Sequence, residues 1–128
     1  MNLGAGTTTS NLKNTYGPIK MRIGNKEIET DRRFLGSMIG DHAKTAIGTR
    51  LMTGSYIGYC SHLAASALPP HFIPSFTFWT AAGQAPFNME KAREVMKRVY
   101  SRRDRAWDED DEAMLKVAVE FAEQVEKQ

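Results

Sequence analysis

The stretch from Ile39 to Leu68 divides into five consecutive hexads, IGDHAK, TAIGTR, LMTGSY, IGYCSH and LAASAL. Four of the five first positions are aliphatic, and the fifth positions are all small: Ala43, Thr49, Ser55, Ser61 and Ala67. In a triangular coil of three hexads, the first position fills a narrow core and the fifth lies at a tight corner. These opposite size demands predict a mainly β fold, a left-handed parallel β-helix of hexapeptide repeats.

Glycines exclude a helical interpretation of the same stretch. Gly40, Gly48, Gly54 and Gly58 lie within it, and each would cost about 1 kcal/mol relative to alanine in a helix interior. Two more hexads precede it, from Leu3 to Thr8 and from Thr9 to Asn14. We therefore expect the β-helix to span residues 1–68.

An insertion interrupts the predicted β-helix. Ile19, Met21 and Ile23 alternate with polar residues up to Gly24-Asn25, and a second short run follows it. A period of two on both sides of a glycine turn predicts a β-hairpin over about 19–34.

The chain changes character after Leu68. Four prolines and several aromatic residues mark the segment 69–87. This composition allows a disordered tail, but the aromatic residues favour a linker that packs along the coil.

Residues 88–128 predict two amphipathic α-helices. Asn88 and Asp108 are their expected N-caps. The expected apolar positions are Ala92, Val95, Met96, Val99 and Tyr100 in the first helix, and Met114, Val117, Ala118, Phe121 and Val125 in the second. The basic cluster Lys97, Arg98, Arg102, Arg103 and Arg105 is interpreted as a solvated helix end rather than a phosphate site, because no glycine-rich cradle accompanies it.

The amino-acid composition limits the cellular locations and the kinds of partner that we expect. The net charge of +2 is too small to predict a nucleic-acid partner. No apolar run approaches the roughly 18 residues of a membrane span, and no secretory signal is present, so we expect a cytoplasmic protein without a membrane partner. Cys60 is the single cysteine, which excludes an intramolecular disulfide. It has no evident base, and no set of residues has metal-ligand spacing, so we predict neither a nucleophilic cysteine nor a metal site.

The N-terminal residues carry a family resemblance. The run Leu3-Gly4-Ala5-Gly6-Thr7, then Ser10-Asn11 and Ile39-Gly40-Asp41, resembles the C-terminal domain of the bifunctional N-acetylglucosamine-1-phosphate uridyltransferase and glucosamine-1-phosphate acetyltransferase. The run from Thr9 to Gly17 is similar to related sugar nucleotidyltransferases that carry such a β-helix as their tail. The resemblance covers about residues 2–68.

The resemblance implies a homotrimer that binds acetyl-CoA and a sugar phosphate or nucleotide sugar, such as UDP-N-acetylglucosamine, between neighbouring coils. It places Asn11 beside the sugar nucleotide, and it makes Lys13 and Lys20 alternative candidates for a substrate-binding lysine. It places Ile47 and Ala65 beside the coenzyme.

The resemblance leaves the catalytic base unknown. In the family, the catalytic histidine lies upstream of the Gly-Ala-Gly-Thr element, which begins here at Gly4. His42, His62 and His71 do not match its placement, so we expect this chain to lack the base. We expect it to be either a fragment of a larger enzyme or a truncated relative. Two functions remain open. The chain is either the acyltransferase-type β-helix domain of a sugar-nucleotide-biosynthesis protein or a non-catalytic trimerisation module.

Overall fold

The computed structural model describes residues 1–127, and position 128 of the predicted helical region lies outside the described residues. The described chain consists of short strands followed by helices. The strands are β1 (Thr8–Thr9), β2 (Ile19–Ile23), β3 (Lys26–Arg32), β4 (Met38–Ile39), β5 (Lys44–Thr45), β6 (Arg50–Leu51), β7 (Tyr56–Ile57), β8 (His62–Leu63), β9 (Phe72–Ile73), β10 (Thr77–Thr80) and β11 (Gly83–Pro86). The helices are α1 (Met89–Ser101) and α2 (Glu109–Phe121), and a π-helical turn, Ala122–Glu126, follows α2. These elements confirm a mainly β chain with C-terminal helices.

The short strands pair in parallel with strands one coil further along the chain. Strand β4 pairs with β7, and β5 pairs with β8, and the paired residues lie 18 positions apart. Strand β1 pairs with β6 across the inserted hairpin. Three hexads therefore separate the paired strands, as the hexad pattern predicts.

The core contains the first residues of the hexads. Leu51, Ile57 and Leu63 are buried together, and complete burial of such a side chain stabilises a fold by about 1.5–3 kcal/mol. At the fifth positions, the hydroxyls of Thr49 and Ser55 donate hydrogen bonds of 2.8 and 2.7 Å to backbone carbonyls three residues earlier. The corners thus take small side chains, and the hydroxyls of Thr49 and Ser55 also bond to the turn.

The predicted hairpin is present. Strands β2 and β3 pair antiparallel around the turn at Gly24-Asn25. Ile19 and Met21 are buried at the base of the hairpin. A Cβ atom at Gly54 would lie 2.5 Å from the Lys20 carbonyl oxygen, and Gly54 has a φ of +66°. A glycine is therefore required where the hairpin contacts the coil.

The segment 69–87 differs from a linker lying along the coil, because it contributes strands of its own. Strand β9 pairs in parallel with β7, and β10 pairs in parallel with β8. The paired residues are now 16 positions apart, since Ile57 lies opposite Ile73. Strand β11 folds back antiparallel on β10. The aromatic side chain of Trp79 is thereby placed in the same core as Leu63.

Both helices begin at the predicted caps. The Asn88 side chain accepts a hydrogen bond from the Lys91 backbone N–H, and Asp108 and Asp111 form a capping box. The helices pack on the coil through a second cluster of buried side chains: Cys60, Ala92, Met96 and Leu115. Among the described residues, no helix combines the length and the apolar character needed to cross a bilayer.

The apolar face expected for the second helix is wrong. Met114, Val117 and Phe121 are 62%, 57% and 52% exposed. The buried side chains on this element are those of Leu115, Ala122 and Glu126. Leu115 packs in the cluster with Met96 and Cys60, so the helix is rotated away from its most apolar stripe, which faces solvent.

Candidate functional site

A cleft of about 750 Å³ lies where the inserted hairpin meets the last coil. We call it the hairpin cleft, and its lining includes Lys13, Lys20, Arg22, Glu27, His71 and Gln84. The hairpin supplies the central three of these residues, whereas the last two lie beyond the hexads in sequence. The cleft thus depends on the insertion.

The two candidate lysines lie together in this cleft. The Nζ atom of Lys13 donates a hydrogen bond of 2.8 Å to the Pro18 carbonyl oxygen. The Nζ atom of Lys20 lies 2.8 Å from a Glu27 carboxylate oxygen and 2.7 Å from a Glu29 oxygen. Hydrogen bonds to Glu27 and Glu29 raise the pKa of Lys20, and the same contact lowers the pKa of Glu27. Lys20 therefore carries a positive charge at neutral pH.

The lining of the hairpin cleft is basic. Lys13, Lys20 and Arg22 contribute positive charges, and Glu27 offsets one of them. The Nε atom of Arg22 donates to the Gly24 carbonyl oxygen at 2.9 Å, which leaves its other nitrogens available. His71 and Gln84 add further hydrogen-bonding groups from the last coil. Such a lining suits a polar ligand that carries negative charge.

Asn11 lies outside the lining of the hairpin cleft. Its carbonyl oxygen accepts a hydrogen bond of 3.0 Å from the Leu35 backbone N–H, just after the insertion. Its side chain is exposed. The structure therefore brings Lys13 and Lys20 together and leaves Asn11 apart from them.

The two residues expected beside a coenzyme have opposite environments. The Ile47 side chain is 79% exposed on the outside of the coil. Ala65 is only 7% exposed and packs in the core with Leu63 and Trp79. Neither residue lines the hairpin cleft. Ile47 has the exposure needed to contact a ligand, whereas the Ala65 side chain faces the protein interior.

The histidines have different surroundings. The ring of His42 packs near the rings of Tyr59 and Tyr100. The ring of His62 packs against the rings of Phe78 and Phe87, which also contact each other. Burial lowers the pKa of His42, and it lowers the pKa of His62 to about 4.

The described thiol is also held in its neutral form. Cys60 is buried, and this burial raises its pKa to about 12. A thiol in this state is a poor nucleophile.

Sequence reasoning missed His71 and Gln84 as cleft residues. His71 lies 51 positions after Lys20, and no local pattern connects them. Only the position of the hairpin relative to the last coil reveals their proximity, since Phe72, next to His71, also lines the cleft.

The fold and the site together define the class of this protein. It is a mainly β chain with parallel strand pairing, an inserted hairpin and a basic cleft. No protein-family model matches the chain. Curated relatives confirm the resemblance to sugar-nucleotide enzymes. The chain is similar to the bifunctional protein GlmU of Methanocaldococcus jannaschii, with 38% identity over 77 residues, which cover 60% of this chain and 19% of that protein.

Two further relatives have the same character. A bifunctional sugar-1-phosphate nucleotidylyltransferase/acetyltransferase of Sulfurisphaera tokodaii is 34% identical over 68 residues, which cover 53% of this chain and 17% of that protein. The bifunctional protein GlmU of Methanococcus maripaludis is 35% identical over 77 residues, which cover 60% and 18% of the two chains. The matched region thus spans less than a fifth of the length of these relatives.

Proposed function

We propose that this chain is the acyltransferase-type, left-handed β-helix region of a sugar-nucleotide-biosynthesis protein. The similarity to bifunctional nucleotidylyltransferase/acetyltransferases supports the relationship to sugar-nucleotide enzymes. The pairing of strands 18 positions apart supports a coil of three hexads. The single observation that carries the ligand assignment is the convergence of Lys13 and Lys20 in the hairpin cleft.

The ligand of the hairpin cleft is a sugar phosphate or nucleotide sugar. Lys13 and Arg22 are not ion-paired to any carboxylate among residues 1–127, so their charges are available to phosphate oxygens. Lys20 must exchange its exposed carboxylate partners for the ligand, which costs little because such surface ion pairs are weak. Gln84 and the aromatic ring of Phe72 offer contacts to the uncharged part of the ligand.

The acyl donor in this proposal is acetyl-CoA, bound between copies of the chain in a homotrimer. The described residues of one chain fit this group only in part. Ile47 is exposed and available for an apolar contact, but the buried Ala65 side chain cannot contact a coenzyme. When bound, the coenzyme would supply the activated acetyl group. The role of the protein that can be assigned here is to hold the acceptor's anionic group at the two lysines.

The proposal is tested by calorimetric titration of the purified chain with UDP-N-acetylglucosamine and with acetyl-CoA, after its mass in solution is fixed by light scattering. We expect saturable binding of the nucleotide sugar by a species of three times the 14.3 kDa chain mass. A folded protein that binds neither compound at millimolar concentration contradicts the transferase assignment.

The second candidate function is a non-catalytic trimerisation module, and exposed apolar side chains favour it. Ile47 is 79% and Met38 53% exposed on the coil, and α2 presents the stripe containing Val117. Isolated apolar residues on a surface are common, but a continuous stripe such as Met114, Val117 and Phe121 on α2 is typical of an association surface. A trimer without ligand binding in the same titration is the outcome that selects this function.

A further inference from the structure

A second cavity, of about 570 Å³, lies between the coil and the C-terminal helices. Its coil side includes Asp41, His42 and Lys44, and its helix side includes Arg102, Arg103 and Trp107. We call it the arginine pocket. It shares no lining residue with the hairpin cleft, so it is a separate site.

Positive side chains outnumber carboxylates in the lining of the arginine pocket, with Lys44, Arg102, Arg103 and Arg105 against Asp41 and Asp111. Among residues 1–127, neither Lys44 nor Arg102 nor Arg103 forms an ion pair with a carboxylate. Burial lowers the pKa of the Lys44 ammonium, and the charges of Arg103 and Arg102 lower it further. Like charges this close repel one another unless an anion lies between them.

Two carboxylates line the pocket, and in the described chain one of them, Asp111, is paired with a cation of the same pocket. Asp111 accepts hydrogen bonds of 2.9 Å from the Tyr100 hydroxyl and from the Arg105 guanidinium. The Arg105 guanidinium also lies 4.3 Å from the centre of the Tyr100 ring. Asp41 is exposed and forms no ion pair in the described chain. Arg105 is therefore neutralised, whereas Lys44, Arg102 and Arg103 are not.

The helix dipole does not explain this arrangement. Cations are favoured near the C-terminal end of a helix, and this accounts for arginines that follow Ser101, where α1 ends. It does not account for Lys44, which belongs to strand β5 of the coil and faces the same cavity. Two elements that are distant in sequence thus contribute cations to one pocket.

We propose that the arginine pocket binds the phosphate groups of a small diphosphate anion, held by Lys44, Arg102 and Arg103. The guanidinium group presents paired N–H donors that match phosphate oxygens. The cavity volume lies within the range of small-molecule sites. Tyr59 and Trp107 also line the cavity, and their rings offer a face to a nucleobase if the diphosphate belongs to a nucleotide.

Tryptophan fluorescence provides the test. Trp107 lines the arginine pocket, whereas Trp79 is 7% exposed in the core. We expect inorganic pyrophosphate to change the emission saturably, and we expect Trp107→Phe to abolish this change. The double variant Arg102→Gln/Arg103→Gln should weaken binding by at least tenfold. Arg98→Gln is the matched control, because Arg98 pairs with Glu94 outside the pocket.

A variant on the coil side keeps the test valid if the double variant fails to fold. Lys44→Met should also weaken pyrophosphate binding at least tenfold, with an unchanged circular dichroism spectrum. Lys20→Gln, in the hairpin cleft, should leave pyrophosphate binding at the arginine pocket unchanged. This control distinguishes a failure of the present proposal from a failure of the proposed function. The proposal is overturned if Arg98→Gln weakens pyrophosphate binding equally, or if Lys44→Met and the double variant bind pyrophosphate like the wild type. Tighter binding of ADP than of pyrophosphate identifies a nucleotide as the source of the diphosphate, and equal binding identifies the free anion.

Discussion

The Glu126 carboxylate accepts two hydrogen bonds from Ser75, one of 2.6 Å from its backbone N–H and one of 2.8 Å from its hydroxyl. The Tyr56 hydroxyl donates a third, also at 2.8 Å. Glu126 is only 5% exposed, although it belongs to the last helical turn of the described chain. A single buried carboxylate thus joins the C-terminal turn to the coil.

We expect Glu126→Gln to destabilise the protein by about 1–3 kcal/mol, because it replaces charge-assisted hydrogen bonds and brings an amide donor towards other donors. Urea unfolding measures this change. Glu123→Gln is the control, since Glu123 is exposed and, among residues 1–127, its carboxylate pairs with Lys127 alone. If the two variants unfold at the same urea concentration, the carboxylate does not hold the helical turn on the coil.

Gly58 lies where two neighbouring coils are in close backbone contact. A Cβ atom there would lie 2.2 Å from the Ser75 backbone nitrogen and 2.7 Å from the Pro74 carbonyl carbon. Backbone atoms cannot move aside as a flexible side chain can, so Gly58→Ala should cost about 1–3 kcal/mol. Gly17→Ala, whose nearest contact would be 3.8 Å away, should change stability by less than about 0.5 kcal/mol. Equal stability of the two variants in thermal unfolding contradicts this packing.

His62 makes stability depend on pH. Burial beside the rings of Phe78 and Phe87, with Lys44 nearby, lowers its pKa to about 4 in the folded protein, against about 6.5 when unfolded. The unfolded chain therefore binds more protons between these values, so stability is complete above pH 6.5 and falls as the pH drops towards 4.

The melting temperatures of the wild type and of His62→Phe, measured at pH 7.5 and 4.5, test this dependence. On acidification, the free energy of unfolding of the wild type should fall by about 1–2 kcal/mol more than that of the variant, after allowance for screening by solvent. The melting temperature of the wild type should fall further accordingly. His42, whose pKa is also lowered, contributes to the acid loss of both proteins and cancels in the comparison. Parallel losses in the two proteins would show that His62 is not the sensitive group.

The proposed trimer requires an association surface on the coil. Ile47→Asp places a charge on a side chain that is 79% exposed, and we expect it to reduce the mass measured by light scattering from trimer to monomer. If the trimer forms through the coils, as in the first proposal, Val117→Asp on the exposed stripe of α2 should leave it intact. Loss of the trimer only in the Val117 variant would move the association surface from the coil to the helix.

The hexads predicted the core well, because the size demands of a narrow coil act on single residues. Leu51, Ile57 and Leu63 are buried as their position in the hexad requires. The pattern ended at Leu68, since prolines and a shortened 16-residue spacing between Ile57 and Ile73 conceal the next coil.

Other features depend on contacts that the local sequence does not contain. The apolar stripe of the second helix has the right period, but packing against Met96 selected the face containing Leu115. Lys20 and His71 line the same cleft because of where the hairpin lies, not because of any spacing along the chain.

The most direct test of the proposed function compares two lysine variants of the same hairpin. Lys20 lines the hairpin cleft, whereas Lys26 is exposed next to the turn and lies outside it. In calorimetric titrations with UDP-N-acetylglucosamine, we expect Lys20→Gln to weaken binding by about tenfold, the loss of one charge-assisted contact, and Lys26→Gln to bind like the wild type. Equal affinities of the two variants, or no binding by the folded wild-type protein, would contradict the assignment of the hairpin cleft to a nucleotide sugar.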